Sequence, residues 1–127
     1  MRIDPKIVND AIRVLETNPT AAELDYLVTL YSTMGYYAAV AEGMSQDAEA
    51  VRKLEEANAF LDARNADPKA PMALIEAIAT KQAHELRLAE NKSRTNAKKL
   101  SNLQDSLREA INAIKFIGRN DSGVRIG

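Results

Sequence analysis

The densest chemistry in the chain is the run KSRTNAKK, which places Lys92, Arg94, Lys98 and Lys99 close together, with Lys81 and Arg87 upstream. Residues 81–99 carry six basic groups against Glu85 and Glu90, a local charge of +4. At about 100° per residue on a helix, Arg87, Arg94 and Lys98 share one edge, and Lys81, Lys92 and Lys99 share another. Both edges flank a weakly apolar seam of Ala89, Ser93 and Ala97. Cations so spaced suit the phosphates of a nucleic acid, and repetition of the band around an oligomer would multiply modest contacts. A second basic group, Arg108, Lys115, Arg119 and Arg125, follows; Lys115 and Arg119 equally suit the negative end of a helix.

A competing use exists for the same charges. Residues 42–62 carry Glu42, Asp47, Glu49, Glu55, Glu56 and Asp62 against Arg52 and Lys53, a net −4. Antiparallel pairing of two helices brings that stretch opposite residues 75–95, where ion pairs would consume the band. Lys81 and Arg87 face the acidic stretch, whereas Arg94, Lys98 and Lys99 lie beyond most of it.

Other chemistries find few residues. There is no Cys, hence no disulfide, thiol nucleophile or thiolate metal site, and one His, His84. Glu55 and Glu56 are adjacent and point about 100° apart, so they make no acid/base pair. Neither a phosphate-cradling glycine loop nor a nucleophile elbow occurs. The expectation is a non-enzymatic protein with no metal and no cofactor. Tyr26, Tyr31, Tyr36 and Tyr37 are the aromatics that could stack on unpaired bases; Tyr31 falls in a core stripe, and Tyr36 or Tyr37 stays open to either use.

The elements that must position these groups are helices. Asp4-Pro5 reads as a cap with proline in the first turn, and Ile3, Ile7, Ala11 and Leu15 recur at helical spacing, predicting a helix over 5–17. Asn18-Pro19 ends it, and Thr20 to Glu23 has the spacing of a capping box. A long helix over 20–66 follows, with the stripe Leu24, Leu27, Tyr31, Met34, Ala38, Ala41, Met44, Ala48, Val51, Leu54 and Leu61. Gly35 and Gly43 lie inside it at about 1 kcal/mol each relative to Ala. A bend near Gly43, or a break with Ser45 as a new cap, is one alternative there. After Pro68 and Pro71 a third helix is predicted over 71–117, with neither Gly nor Pro inside. Its stripe includes Leu74, Ile78, Leu86, Ala89, Ser93, Ala97, Leu100, Leu103, Leu107, Ile114 and Ile117. Gly118 reads as its stop, leaving 118–127 as a mobile tail.

The predicted class is all-α, with a short N-terminal helix and a long, coiled-coil-like antiparallel hairpin in a single domain over 1–127. Hydrophobic residues make up 46% of the chain, but aromatics are only 5% and 21 residues are Ala, so each buries little area. So thin a pair of helices is expected to complete its core as a homo-oligomer; the alternative is a bundle folded back at Gly43. A net charge of −1 removes whole-molecule attraction to nucleic acid or membrane. No apolar run approaches the roughly 20 residues of a membrane span, and MRIDPKIVND has no apolar signal segment. The expected location is cytoplasmic.

A tyrosine-bearing long helix, a charged helix with an Arg near its end, and the C-terminal segment LREAINAIKFIGR together resemble the small all-helical recombination mediators of T-even-type phages. The likeness spans roughly residues 24–119 as a pattern of helices and spacing. It implies ring-like helical oligomers that bind single-stranded DNA and load a recombinase onto it, in the host cytoplasm. The residues it carries over are Lys92, Arg94, Lys98, Lys99, Lys115 and Arg119, and the net charge of −1 departs from what a strong DNA binder shows. A helical protein-interaction module (inhibitor, adaptor or scaffold) acting on a protein partner is the second expectation, and separated acidic and basic stretches suit it as well.

Overall fold

The structure, a computed structural model, describes residues 3–126, with side chains from Ile3 to Gly118. It is all-α: α1 (Pro5–Glu16), a 3-10 turn (Ala21–Glu23), α2 (Leu24–Ala66), α3 (Met72–Gln82) and α4 (His84–Ile126), with no strand among the described residues. Contacts divide the chain into two compact units, residues 1–40 with 98–127, and residues 41–97. Both α2 and α4 contribute a segment to each.

In the first unit, Asp4 caps α1 by accepting from the Lys6 N–H at 2.9 Å, and Pro5 occupies the first turn, where its missing donor costs nothing. The helix stops where Asn18 turns left-handed (φ 53°), a conformation Asn tolerates better than most residues. The Thr20 N–H then donates to the Glu23 carboxylate at 3.2 Å, and α2 begins. Val8, Ala11 and Val14 of α1, Leu27, Leu30, Met34 and Tyr37 of α2, and Leu100, Leu103, Leu107 and Ile111 of α4 form the core. On α2 these residues step by three and four, the spacing of one helical face. Tyr37 is the buried tyrosine; Tyr31, expected in the core, is half-buried. Gly35 has a local reason: a Cβ built there would lie 2.5 Å from Gln104 Nε2 of α4.

The second unit is built differently. Its buried apolar residues are Ala41, Ala59, Ala70, Ile75, Ala79, Ala83 and Ala97, joined by Ser45 and Glu90. Ile75 is the single large side chain there that is fully buried among the described residues. Arg64 organises the connector after α2 by donating from Nη1 to the carbonyls of Pro68 (3.1 Å) and Ala70 (2.9 Å).

Four expectations are corrected. The helix expected over 71–117 is two helices, interrupted at Ala83 (φ −90°, ψ 5°), whose N–H bonds the carbonyls of Ala79 and Lys81. No glycine or proline marks the spot; Ala83 is fully buried, and packing of its methyl group rather than chain propensity accompanies the turn. Gly118 does not end α4, which continues to Ile126, so the segment expected as a tail is helical through that residue. Its side chains beyond Gly118, including Arg119 and Arg125, lie outside the described residues. α2 is one helix through Gly43, so the break with Ser45 as a new cap does not occur. The predicted stripes fail in the second unit, where Met44, Val51, Leu54, Leu61, Leu74 and Ile78 are all exposed.

Candidate nucleic-acid interface

Of the basic residues singled out from the sequence, Lys81 lies on α3 and the others on α4, and each unit is considered by itself. In the second unit, Arg52 of α2 reaches Glu90 of α4 through Nε at 2.6 Å and Nη2 at 3.3 Å, and Glu56 of α2 through Nη1 at 3.1 Å. Arg87 of α4 donates to the other Glu56 oxygen at 2.6 Å, and Arg94 donates to Glu90 at 2.6 Å. The chain Arg87–Glu56–Arg52–Glu90–Arg94 therefore alternates three guanidiniums with two carboxylates. Its partners also fix the local sense of the helices: Glu56 meets Arg87, and Arg52, one turn earlier on α2, meets Glu90, about one turn later on α4.

Glu90 is buried, and its hydrogen bonds from Arg52 hold its carboxyl below the ordinary 4.5, against the opposing effect of burial. The same hydrogen bond raises Arg52 above the usual guanidinium range. Both groups stay charged, as a buried pair must if neither is to be left uncompensated. Glu49 is likewise held low by the hydrogen bond from Lys53, at 2.8 Å on the next turn.

Arg87 is thus committed to the acidic stretch, as expected. Arg94, expected to lie beyond it, is instead anchored to Glu90 of its own helix. With its side chain 59% exposed, much of its five-donor fork still faces solvent. Lys81, expected to face an acidic partner, has no ion pair among the described residues, and neither has Lys92. Lys92 is exposed beside this network, on the solvent side of α4.

In the first unit, α4 carries Lys98, Lys99 and Lys115, all exposed and without an ion pair among the described residues. Lys98 and Lys99 sit immediately before the buried Leu100, so the helix that packs this leucine inward holds their ammonium groups outward. Arg119 lies outside the described side chains. Tyr36 and Tyr37 of α2 form a tilted ring pair with centroids 6.2 Å apart, Tyr37 buried and Tyr36 44% exposed. A buried ring supporting an exposed one keeps the Tyr36 ring within reach of a stacking partner.

The network's centre, Arg52 with Glu56 and Glu90, was not singled out from the sequence. Two signals pointed to it: the i,i+4 pairs Arg52–Glu56 and Glu90–Arg94, and the charged residue at position 52, in helical step with Ser45, Glu56 and Ala59. No group of three or more acidic or His side chains positioned to hold a metal occurs among the described residues, and no helix there is long and apolar enough to cross a membrane. No protein-family model, curated protein or solved structure matches the chain.

Proposed function

We propose that this chain is a non-enzymatic, self-associating accessory protein of phage-type DNA recombination, which binds single-stranded DNA and assists or loads a recombinase. The observation that carries the DNA reading is the uncompensated state of Lys92, Lys98 and Lys99 on α4, while the arginines Arg87 and Arg94 are matched by carboxylates. Free ammonium groups are what counterion release from phosphates requires. Lys115, Arg94 and Arg119, all on α4, complete the proposed set. The long antiparallel hairpin, its completion by homo-oligomerisation, and action in the host cytoplasm belong to the same proposal.

A labelled single-stranded oligonucleotide tests it. Binding falls between 50 and 200 mM salt, and each of Lys92→Ala, Lys98→Ala and Lys99→Ala lowers the salt slope by roughly 0.7. Arg87→Ala, already neutralised by Glu56, changes that slope least. Absence of binding at low salt overturns the DNA reading.

A second reading, a helical module that acts on a protein partner, is supported by a different observation. Large apolar side chains of the second unit are exposed, Leu54 at 64% and Leu74 at 50% among them. Retention of a protein partner by a triple Lys→Ala variant that has lost DNA favours it.

A further inference from the structure

Within residues 41–66 of α2, the side chains facing the rest of the second unit are mostly small or charged, Ala41, Ser45, Arg52, Glu56 and Ala59, with the half-buried Phe60 beside Ala79 and Thr80 of α3. Four other large apolar ones lie on the other side: Met44 at 55% exposure, Val51 at 54%, Leu54 at 64% and Leu61 at 57%. At about 100° per residue these four, with Asp47 and Asn58, form one continuous stripe whose centre lies roughly 150° from the covered face. Their steps are three and four, so Met44, Val51 and Asn58 occupy one heptad position and Asp47, Leu54 and Leu61 the other, the pattern of a helix-pairing seam.

That stripe is its own complement under reversal. Turned end for end about a point midway between Val51 and Leu54, Met44 falls on Leu61, Val51 on Leu54, and Asp47 on Asn58. Every apolar residue meets an apolar one, and the polar interruptions coincide, with a carboxylate that accepts set against an amide that donates. A parallel, in-register pairing would instead set Asp47 against its own copy, two carboxylates in an apolar seam. Ala48, Glu55 and Asp62 lie on one edge of the stripe, and Gly43, Ala50 and Ala57 line the other, which therefore holds no bulky side chain that keeps a second helix away. Gly43, which meets nothing within 4 Å of a built Cβ, lies on this edge.

We propose that residues 44–61 of α2 form a two-fold antiparallel contact with the same residues of a second copy of the chain. Self-complementarity is what an isologous interface demands of one surface patch, and a partner of another sequence would have no reason to match it. The proposal deepens the self-association within the reading above by naming its surface and register, and it stands without the DNA. Glu55 lies on one edge of the stripe about 8 Å along the helix pair from its own copy, so added salt tightens this contact where it loosens DNA.

The chain has no cysteine, so introduced thiols are unique. In the antiparallel register, oxidation of a mixture of Met44→Cys and Leu61→Cys chains gives the mixed disulfide. Either variant alone gives none, because its thiols lie about 26 Å apart along the helix pair. Leu54→Glu, at an exposed position that leaves each chain folded, raises the dissociation constant on the order of tenfold or more. Cross-linking within the Met44→Cys variant alone, or multimers unaffected by Leu54→Glu and lacking the mixed disulfide, overturn this face while leaving self-association standing. A 13.9 kDa particle at every concentration by light scattering overturns both.

Discussion

The two units use the same pair of long helices and hold them by different means. The first unit interlocks leucines, Leu27, Leu30, Leu100, Leu103 and Leu107, with Met34, Ile111 and the short helix α1. The second buries alanines around Ile75 and sets a buried carboxylate, Glu90, into an alternating chain of ions. Apolar burial is non-directional and tolerates many arrangements, whereas an ion chain is satisfied in one register. In the second unit, then, register comes from hydrogen bonds to specific oxygens, and most of the large apolar side chains face outward. In the first unit the leucines themselves define which faces meet.

The largest effect expected is in the first unit. Leu107 is fully buried, and Leu107→Ala costs about 2–5 kcal/mol through lost transfer and a residual cavity. Denaturant unfolding measures it. In the second unit Ile75→Ala is the apolar counterpart and Arg52→Met the ionic one, which strips Glu90 and Glu56 of their shared guanidinium but leaves each one arginine. Both lower the melting temperature. If Arg52→Met is silent while Ile75→Ala matches Leu107→Ala, the two units are held alike and the contrast fails.

Acid sharpens the same contrast. Glu90 titrates below its ordinary 4.5 in the folded chain, so its contribution is complete above that value and is lost as pH falls through the lower folded value. Glu49 acts with the same sign. Melting followed from pH 6 to pH 3 shows a falling acid limb that Glu90→Gln flattens; an unchanged limb in that variant removes the ion chain from the account. The smallest effects concern the two helical glycines. Gly43→Ala stabilises by about 0.5–1 kcal/mol, because the new methyl meets nothing in the chain and the helix loses less entropy. Gly35→Ala gains less, since Gln104 must move aside. Equal gains at the two sites would show that the close approach in the first unit is loose.

Much of the fold was legible because helices announce themselves locally. Asp4-Pro5, Asn18-Pro19, Thr20 with Glu23 and the Pro68–Pro71 connector are each short-range signals, and each falls at an element boundary. Leu27, Met34, Leu100, Leu103 and Leu107 were readable as core because in the first unit these members of the predicted stripes lie on the covered face, although Tyr26, Tyr36, Phe116 and Ile117 are exposed there. The same rule misread the second unit, where Leu54 and Leu61 outrank Ala59 in size yet lie outside. Of the candidate site, the commitment of Arg87 was readable from the charge of its opposing stretch. The anchoring of Arg94 to Glu90 was legible only as an i,i+4 spacing; that Glu90 is buried and shared with Arg52 depends on how the two helices pack.

Composition and periodicity alone determined the all-α class, the absence of thiol chemistry, and a basic α4 set against an acidic stretch of α2. These follow from residue type and from the 3.6-residue repeat, which no distant contact alters. Tertiary structure decided which face of each helix is covered, where α3 gives way to α4 at Ala83, and which cations remain free. All three depend on the meeting of residues far apart in the chain, as when Arg52 closes on Glu90 at 2.6 Å. A guanidinium satisfied across two helices is no longer available to a phosphate, and only the packing of those helices brings its carboxylate within reach.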